Sequence, residues 1–305
     1  MFQNYIGEFA ALTTAVFWTI TALAFESAGK KVGSLSVNII RLTLAFFYLS
    51  IFSLIARGEF FPMGASAHNW IWLSISGLIG FVLGDLFLFQ AYVVIGARIS
   101  MLIMSLAPPI AALAGWMLMG ETMNAKGLLG MLLTFVGISI TILARKTTGD
   151  AINGTRTSLH FKYPLKGILL AFGGAAGQGV GLVLSSYGIQ DYDPFAATQI
   201  RVITGIVGFI IVITYTGFWL RVKSAVMNIS AMKRMGIGAF FGPFLGVSFS
   251  LLAVKYTTSG IASTIISIVP VLIIAPSVFI MKEKITLIEI IGALIAVAGV
   301  SLFFI

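Results

Sequence analysis

The sequence predicts an all-α integral membrane protein, with ten transmembrane helices arranged as two inverted five-helix repeats. Three observations predict it. Hydrophobic residues make up 59% of the 305 and charged residues only 10%, against about 25% charge in a soluble domain. The apolar runs are roughly 20 residues long, the length of a spanning helix, which points away from a barrel. One stretch also occurs twice. Residues 105–139 lie on 267–301 without a gap, placing Ser105 on Ser267, Pro108 on Pro270, Glu121 on Glu283, Gly130 on Gly292, Gly137 on Gly299 and Ser139 on Ser301. Apolar strings share Leu and Ile by chance, but Pro, Glu and Gly in one register mark a duplication.

The first span, roughly 5–25, has no basic region before it and runs to Glu26, Lys30 and Lys31, which fits a spanning helix and not a cleavable signal. It carries Glu8 near one end and Trp18 further in. The second, roughly 35–56, holds Asn38 and Arg41, the arginine ~9 Å deep by helical rise. The third, roughly 70–92, contains Gly80, Gly84, Gln90, Tyr92 and Asp85, the last ~22 Å from the span's start. The fourth, roughly 98–119, brings Ser105 and the Pro108-Pro109 pair, and the fifth is roughly 126–144.

The longest polar stretch follows, rich in Lys, Arg, Thr and Gly, and divides the chain into a first half, 1–144, a basic linker, 145–164, and a second half, 165–305. The second half repeats the order: roughly 165–187 with Gln178 among glycines, 195–218 with Gln199 and Arg201, 233–254, 259–281 with Pro270 and Pro276, and 286–304. Gly80 and Gly84 match Gly242 and Gly246 in the register of the duplication, and Arg41 matches Arg201 in a register two residues shorter. Asp85 falls on Val247 and has no acidic counterpart. An odd number of spans per half inserts the second half upside down, the inverted-repeat architecture of secondary transporters.

Orientation follows from basic residues near span ends. The loops after spans one, three, five, seven and nine carry fourteen Lys and Arg, and the remaining loops three. This places both termini outside and the 145–164 linker in the cytoplasm, and the sequons at Asn153 and Asn228 then carry no glycan. The expected membrane is a bacterial plasma (inner) membrane.

The ten spans in two halves, the proline in spans four and nine, Gly84-Asp85, the 100–139 stretch and Gly260 to Gly299 resemble the drug/metabolite transporter superfamily, and most closely its EamA-like branch. The resemblance covers nearly the whole chain. It implies a central cavity lined by spans 1, 3, 4, 6, 8 and 9, gating by spans 2 and 7, and spans 5 and 10 at the periphery. It also implies export of amino acids, related metabolites or drug-like compounds. Many relatives place their termini in the cytoplasm, opposite to the charge count here.

Paired helix breaks in corresponding positions point to a transporter's binding site, because proline frees a backbone carbonyl; Pro108 and Pro270 are such a pair, and a packing kink is the alternative. Trp18, Gln90, Tyr92, Ser105 and Gln178 are the candidate cavity residues. Ionisable groups inside the bilayer are costly and few. Arg41 and Asp85 share the inner third and form a candidate gating ion pair; Arg201 lies toward the outside, with Glu8 as its candidate partner. Snorkelling to headgroups is the alternative for both arginines. If a proton drives transport, Asp85 and then Glu8 are the carboxylates to titrate; facilitated diffusion is equally compatible. The glycines at 173, 177, 181 and 238, 242, 246 recur every four residues and suit close helix packing. Glu121 and Glu283 sit at span ends and read as helix-end or loop contacts.

The expected partners are a small-molecule solute and the lipid bilayer; a homodimer is left open. The net charge of +9 is explained by loops and does not call for nucleic acid. With no cysteine, two histidines in loops and no nucleotide-binding or hydrolase motif, neither cofactor nor metal nor ATP is expected, and an enzyme is disfavoured. A channel or a non-transporting scaffold is the other alternative, and no ring of acids supports a cation pore.

Overall fold

A computed structural model describes residues 5–119, 125–143, 163–256, 262 and 265–303, and every regular element among them is helical. In chain order these are α1 (Ile6–Val32), α2 (Ser34–Arg57), α3 (Ala67–Gly77), α4 (Asp85–Ile103), α5 (Ala107–Met119), α6 (Ala125–Leu143), α7 (Leu165–Ile189), α8 (Pro194–Thr216), α9 (Trp219–Met227), α10 (Ile229–Ala239), α11 (Val247–Tyr256), α12 (Val269–Leu272), α13 (Ile274–Phe279) and α14 (Leu287–Phe303). Seven helical stretches are long and apolar enough to cross a membrane. One of them, Ala67–Met117, runs 51 residues. That is far more than one crossing needs, about 20 residues. Two shorter apolar helical stretches, Val269–Phe279 and Leu287–Leu302, follow.

Local chemistry sets where the helices begin and end. The Ser66 hydroxyl accepts from Asn69 N at 3.1 Å while Asn69 Oδ1 accepts from Ser66 N at 2.9 Å, a reciprocal cap that starts α3. Asp193 caps Ala196 N ahead of Pro194 at the start of α8, and Asn228 caps Ala231 N in α10. The long stretch is divided at Gly96, whose φ of 82° is open to glycine and strained for other residues.

Two π-helical turns interrupt otherwise regular helix: Leu78–Gly84 between α3 and α4, and Phe240–Gly246 between α10 and α11. They occupy the same places in the duplication. Each holds the glycine pair that the repeat register matches, and each ends just before the Asp85 or Val247 position.

The halves interlock. α7, the first helix of the second half, packs along α3 and α4 of the first; α1 packs along α10 and α11 of the second. The α7 crossing depends on small residues. A Cβ on Gly177 lies 2.5 Å from Gly84 Cα and 3.0 Å from Ile79 O, so backbone meets backbone with no room between. On the other side, α6 pairs with α14, where Thr134 Oγ1 reaches Ala296 O at 3.4 Å and Gly137 abuts Gly292 and Ala296.

Candidate functional site

Two adjoining cavities lie between the interlocked halves. Trp18, Phe81, Met101, Met104, Gln178 and Val247 line both, so they form one continuous tract. α1, the first π-turn with α4, α7 and α11 supply those residues. α8 adds Arg201, and Pro108 and Pro270 from α5 and α12 close the larger compartment.

The smaller compartment holds a buried ion pair. Arg41 Nη2 donates to Asp85 Oδ2, with side-chain exposures of 4% and 5%. Further hydrogen bonds surround the pair. Arg41 Nε donates to Asn38 Oδ1 at 3.0 Å, Asn38 Nδ2 to Asp85 O at 3.2 Å, and Gln178 Nε2 to Asp85 Oδ1 at 2.6 Å and to Gly80 O at 3.3 Å. Added hydrogen bonds of this kind are what make a buried pair tolerable. The guanidinium also faces Phe89, Phe25 and Phe81, at 4.4, 5.7 and 5.7 Å from their centroids.

Arg201 faces the same Phe81 ring at 4.6 Å. The sequence reading sets Arg41 toward the cytoplasm and Arg201 toward the outside, at equal depth in their spans. In the structure both guanidiniums face the Phe81 ring, at 5.7 and 4.6 Å from its centroid. Arg201 is 4% exposed, and its Nε has no hydrogen-bond partner among the described residues. The expected ion pair with Glu8 is not formed: Glu8 lies half-buried in the first turn of α1, away from the residues that line either cavity.

The other candidate residues divide. Trp18, Ser105 and Gln178 line the tract, as do Pro108 and Pro270. Tyr92 lines the smaller compartment and donates to Met101 Sδ at 3.2 Å. Gln90 is off both compartments; its Oε1 accepts from the Ser34 hydroxyl at 2.6 Å and ties α4 to the start of α2. Gln199 donates to the Ser50 hydroxyl and Phe60 O, each at 2.8 Å. Glu121 lies outside the described residues.

A second charged group was not expected from the sequence. Arg98 Nε donates to Glu283 Oε2 at 2.7 Å, and its Nη1 lies 3.5 Å from Glu289 Oε2. Tyr163 donates to Glu289 Oε1 at 2.8 Å. Burial, then the bond it donates, raises the Tyr163 phenol above its ordinary range and keeps it protonated. Close by, the buried Glu26 accepts from Ala97 N at 3.0 Å and pairs with Lys30. The cluster gathers around the break at Gly96, on the side that carries the basic loops, and Arg98 joins the two halves there. At the other end of α2, Arg57 and Asp193 make a more exposed pair at 2.6 Å. In the sequence Arg98 stands at the first residue of the fourth expected span. Its one sequence signal was its position two residues after a glycine.

Comparison with known proteins agrees with this architecture. The EamA-like transporter family matches twice, over residues 5–143 and 165–305. A crystal structure of a protein 18% identical in sequence superposes with a TM-score of 0.62, covering 98% of this chain and 95% of the other; at that identity the likeness concerns the fold. No curated protein matches the sequence. With both halves matched and the fold shared across their length, this chain is a multi-pass membrane protein that belongs to the EamA-like transporter family, within the drug/metabolite transporter superfamily.

Proposed function

We propose that this protein is a secondary transporter that moves a small metabolite by alternating access, with ten spans in two inverted halves, 1–144 and 165–305, around a central cavity. The observation that carries this reading is the tract between the halves. It holds buried ionisable groups, and matching π-turns flank it. π-Turns of this kind concentrate at functional sites and give a helix a place to flex. The Arg98–Glu283–Glu289 cluster closes the side of the basic loops, so the solute enters and leaves there only when that cluster opens.

The direction is export of amino acids, related metabolites or drug-like compounds from a bacterial inner membrane, with the 145–164 linker cytoplasmic. If a proton is exchanged for the solute, it binds Asp85, the carboxylate that faces the tract. The test is counterflow in proteoliposomes loaded with an unlabelled pool of such compounds. Labelled solute that overshoots its equilibrium level supports a carrier. A folded protein that gives no counterflow, and no thermal stabilisation by any member of a broad panel, excludes one.

A further inference from the structure

The tract carries an unbalanced charge. Among the described residues, three ionisable side chains of formal charge at neutral pH line it: Arg41, Asp85 and Arg201. Asp85 is occupied, one oxygen by Arg41 and the other by Gln178. Arg201 makes no ion pair among the described residues, and its Nε is buried without an acceptor. A desolvated guanidinium with unused donors is costly, and the Phe81 face offsets only part of that cost. Arg201 is not placed to reach headgroups. Its backbone is packed against Gly77, where a Cβ meets Arg201 O at 2.8 Å, and its Nη2 lies beside Gly80 in the first π-turn, inside the tract.

The larger compartment supplies the rest of a site. Ser105 is 3% exposed, and its buried hydroxyl has no hydrogen-bond partner among the described residues. Around it the lining is apolar: Trp18, Phe81, Met101 and Leu182. We propose that Arg201 is the anchor for the carboxylate of an organic monoanion whose apolar or aromatic body fills this compartment. The proposal rests on the transporter reading and names the solute class for it.

The chemistry selects this class in three ways. A guanidinium fork matches a carboxylate through two parallel hydrogen bonds. One added negative charge balances the two arginines against Asp85 and the ligand. A ligand ammonium group finds only Asp85, whose charge is already balanced by Arg41 and whose other oxygen accepts from Gln178. A carboxylate without an amino group is therefore preferred to the zwitterionic amino acid of the same body.

The test is a head-group series on one body, with purified protein in nanodiscs at fixed chloride: 3-phenylpropionate, phenylalanine, 3-phenylpropylamine and 3-phenylpropanol, read by thermal shift and by tryptophan fluorescence. The carboxylate is expected to bind at least about tenfold more tightly than the amine or the alcohol, the difference of one charge-assisted pair, with phenylalanine below it. Arg201→Gln is expected to bring the series within about twofold, and Arg201→Lys to keep part of the preference. If Arg201→Gln does not fold, the native series together with Arg201→Lys decides.

The proposal is overturned by an amine or alcohol that binds as tightly as the carboxylate, or by a carboxylate preference that survives Arg201→Gln. It is also overturned if sodium chloride alone reproduces the shift, or if no carboxylate from propionate to 3-phenylpropionate binds. Counterflow separates this from the broader reading. Exchange of other solutes without carboxylate selectivity removes the anchor and keeps the transporter. Arg201-dependent carboxylate binding without any counterflow removes the transporter and keeps the anchor.

Discussion

At the scale of single residues, the Arg41–Asp85 pair dominates. Both side chains are buried, and each charge is satisfied by the other and by Asn38 and Gln178. Removing one partner strands the other, at a cost of about 3–5 kcal/mol. Asp85→Ala and Arg41→Ala are each expected to lower the melting temperature in detergent and to abolish flux. The double exchange Arg41→Asp with Asp85→Arg is expected to recover part of the stability; a double variant no better than the worse single shows that the two act independently. The proximity of this pair was legible in the sequence, because helical rise alone gave both residues the same depth. The Arg98 cluster was not. Its acceptors are 185 and 191 residues away in sequence, and no periodicity or spacing rule joins such positions. Arg98→Ala is expected to loosen the side of the basic loops, read as faster hydrogen exchange at 97–103 and 283–290 with the Arg41–Asp85 region unchanged.

At the scale of elements, the paired π-turns and the glycine crossings organise the site. The matched glycines at 80, 84, 242 and 246 announced something shared by both halves, and the reading as close packing is what the α7 crossing displays. The π-turns themselves were out of reach. A π-turn adds one residue to a helical turn, and an apolar helix shows no polar face against which such a slip could be seen. Prolines gave a clearer signal, and Pro108 and Pro270 both reach the larger compartment. Gly177→Val is the test of the crossing. The first added carbon already collides with the backbone of Gly84 and Ile79, and backbone cannot step aside as a side chain can. A loss of about 1–3 kcal/mol or more is expected, read as a lower melting temperature. Gly33→Ala faces open space but a φ of 83°, so its smaller loss comes from strain alone.

At the scale of the whole molecule, composition and duplication made the helical membrane fold legible from the sequence. What they could not convey is the exchange of first helices, because the register that aligns the halves says nothing about which half a helix touches. The exchange predicts that neither half folds alone. Residues 1–150 expressed without the rest are expected to aggregate or be degraded, and co-expression with 151–305 to restore a monodisperse complex. Orientation has a direct test, since the chain contains no cysteine. A single cysteine introduced in the 145–164 linker is expected to react with an impermeant maleimide only after cells are opened, and one at the amino terminus to react in intact cells.

The exchange of first helices also bears on how such a chain could have arisen. α1 packs on α4 of its own half but also on α10 and α11 of the other, and α7 packs on α3, α4 and α5 of the other half. An ancestor with five helices would have covered its own first helix only in part. On the inverted arrangement proposed here, it needed a sister molecule inserted the opposite way round, so its membrane insertion could not have been strict. Fusing the two copies removed that need for dual insertion. Each half was then free to accumulate its own charges, and an acid could persist at Asp85 while its mirror position became Val247.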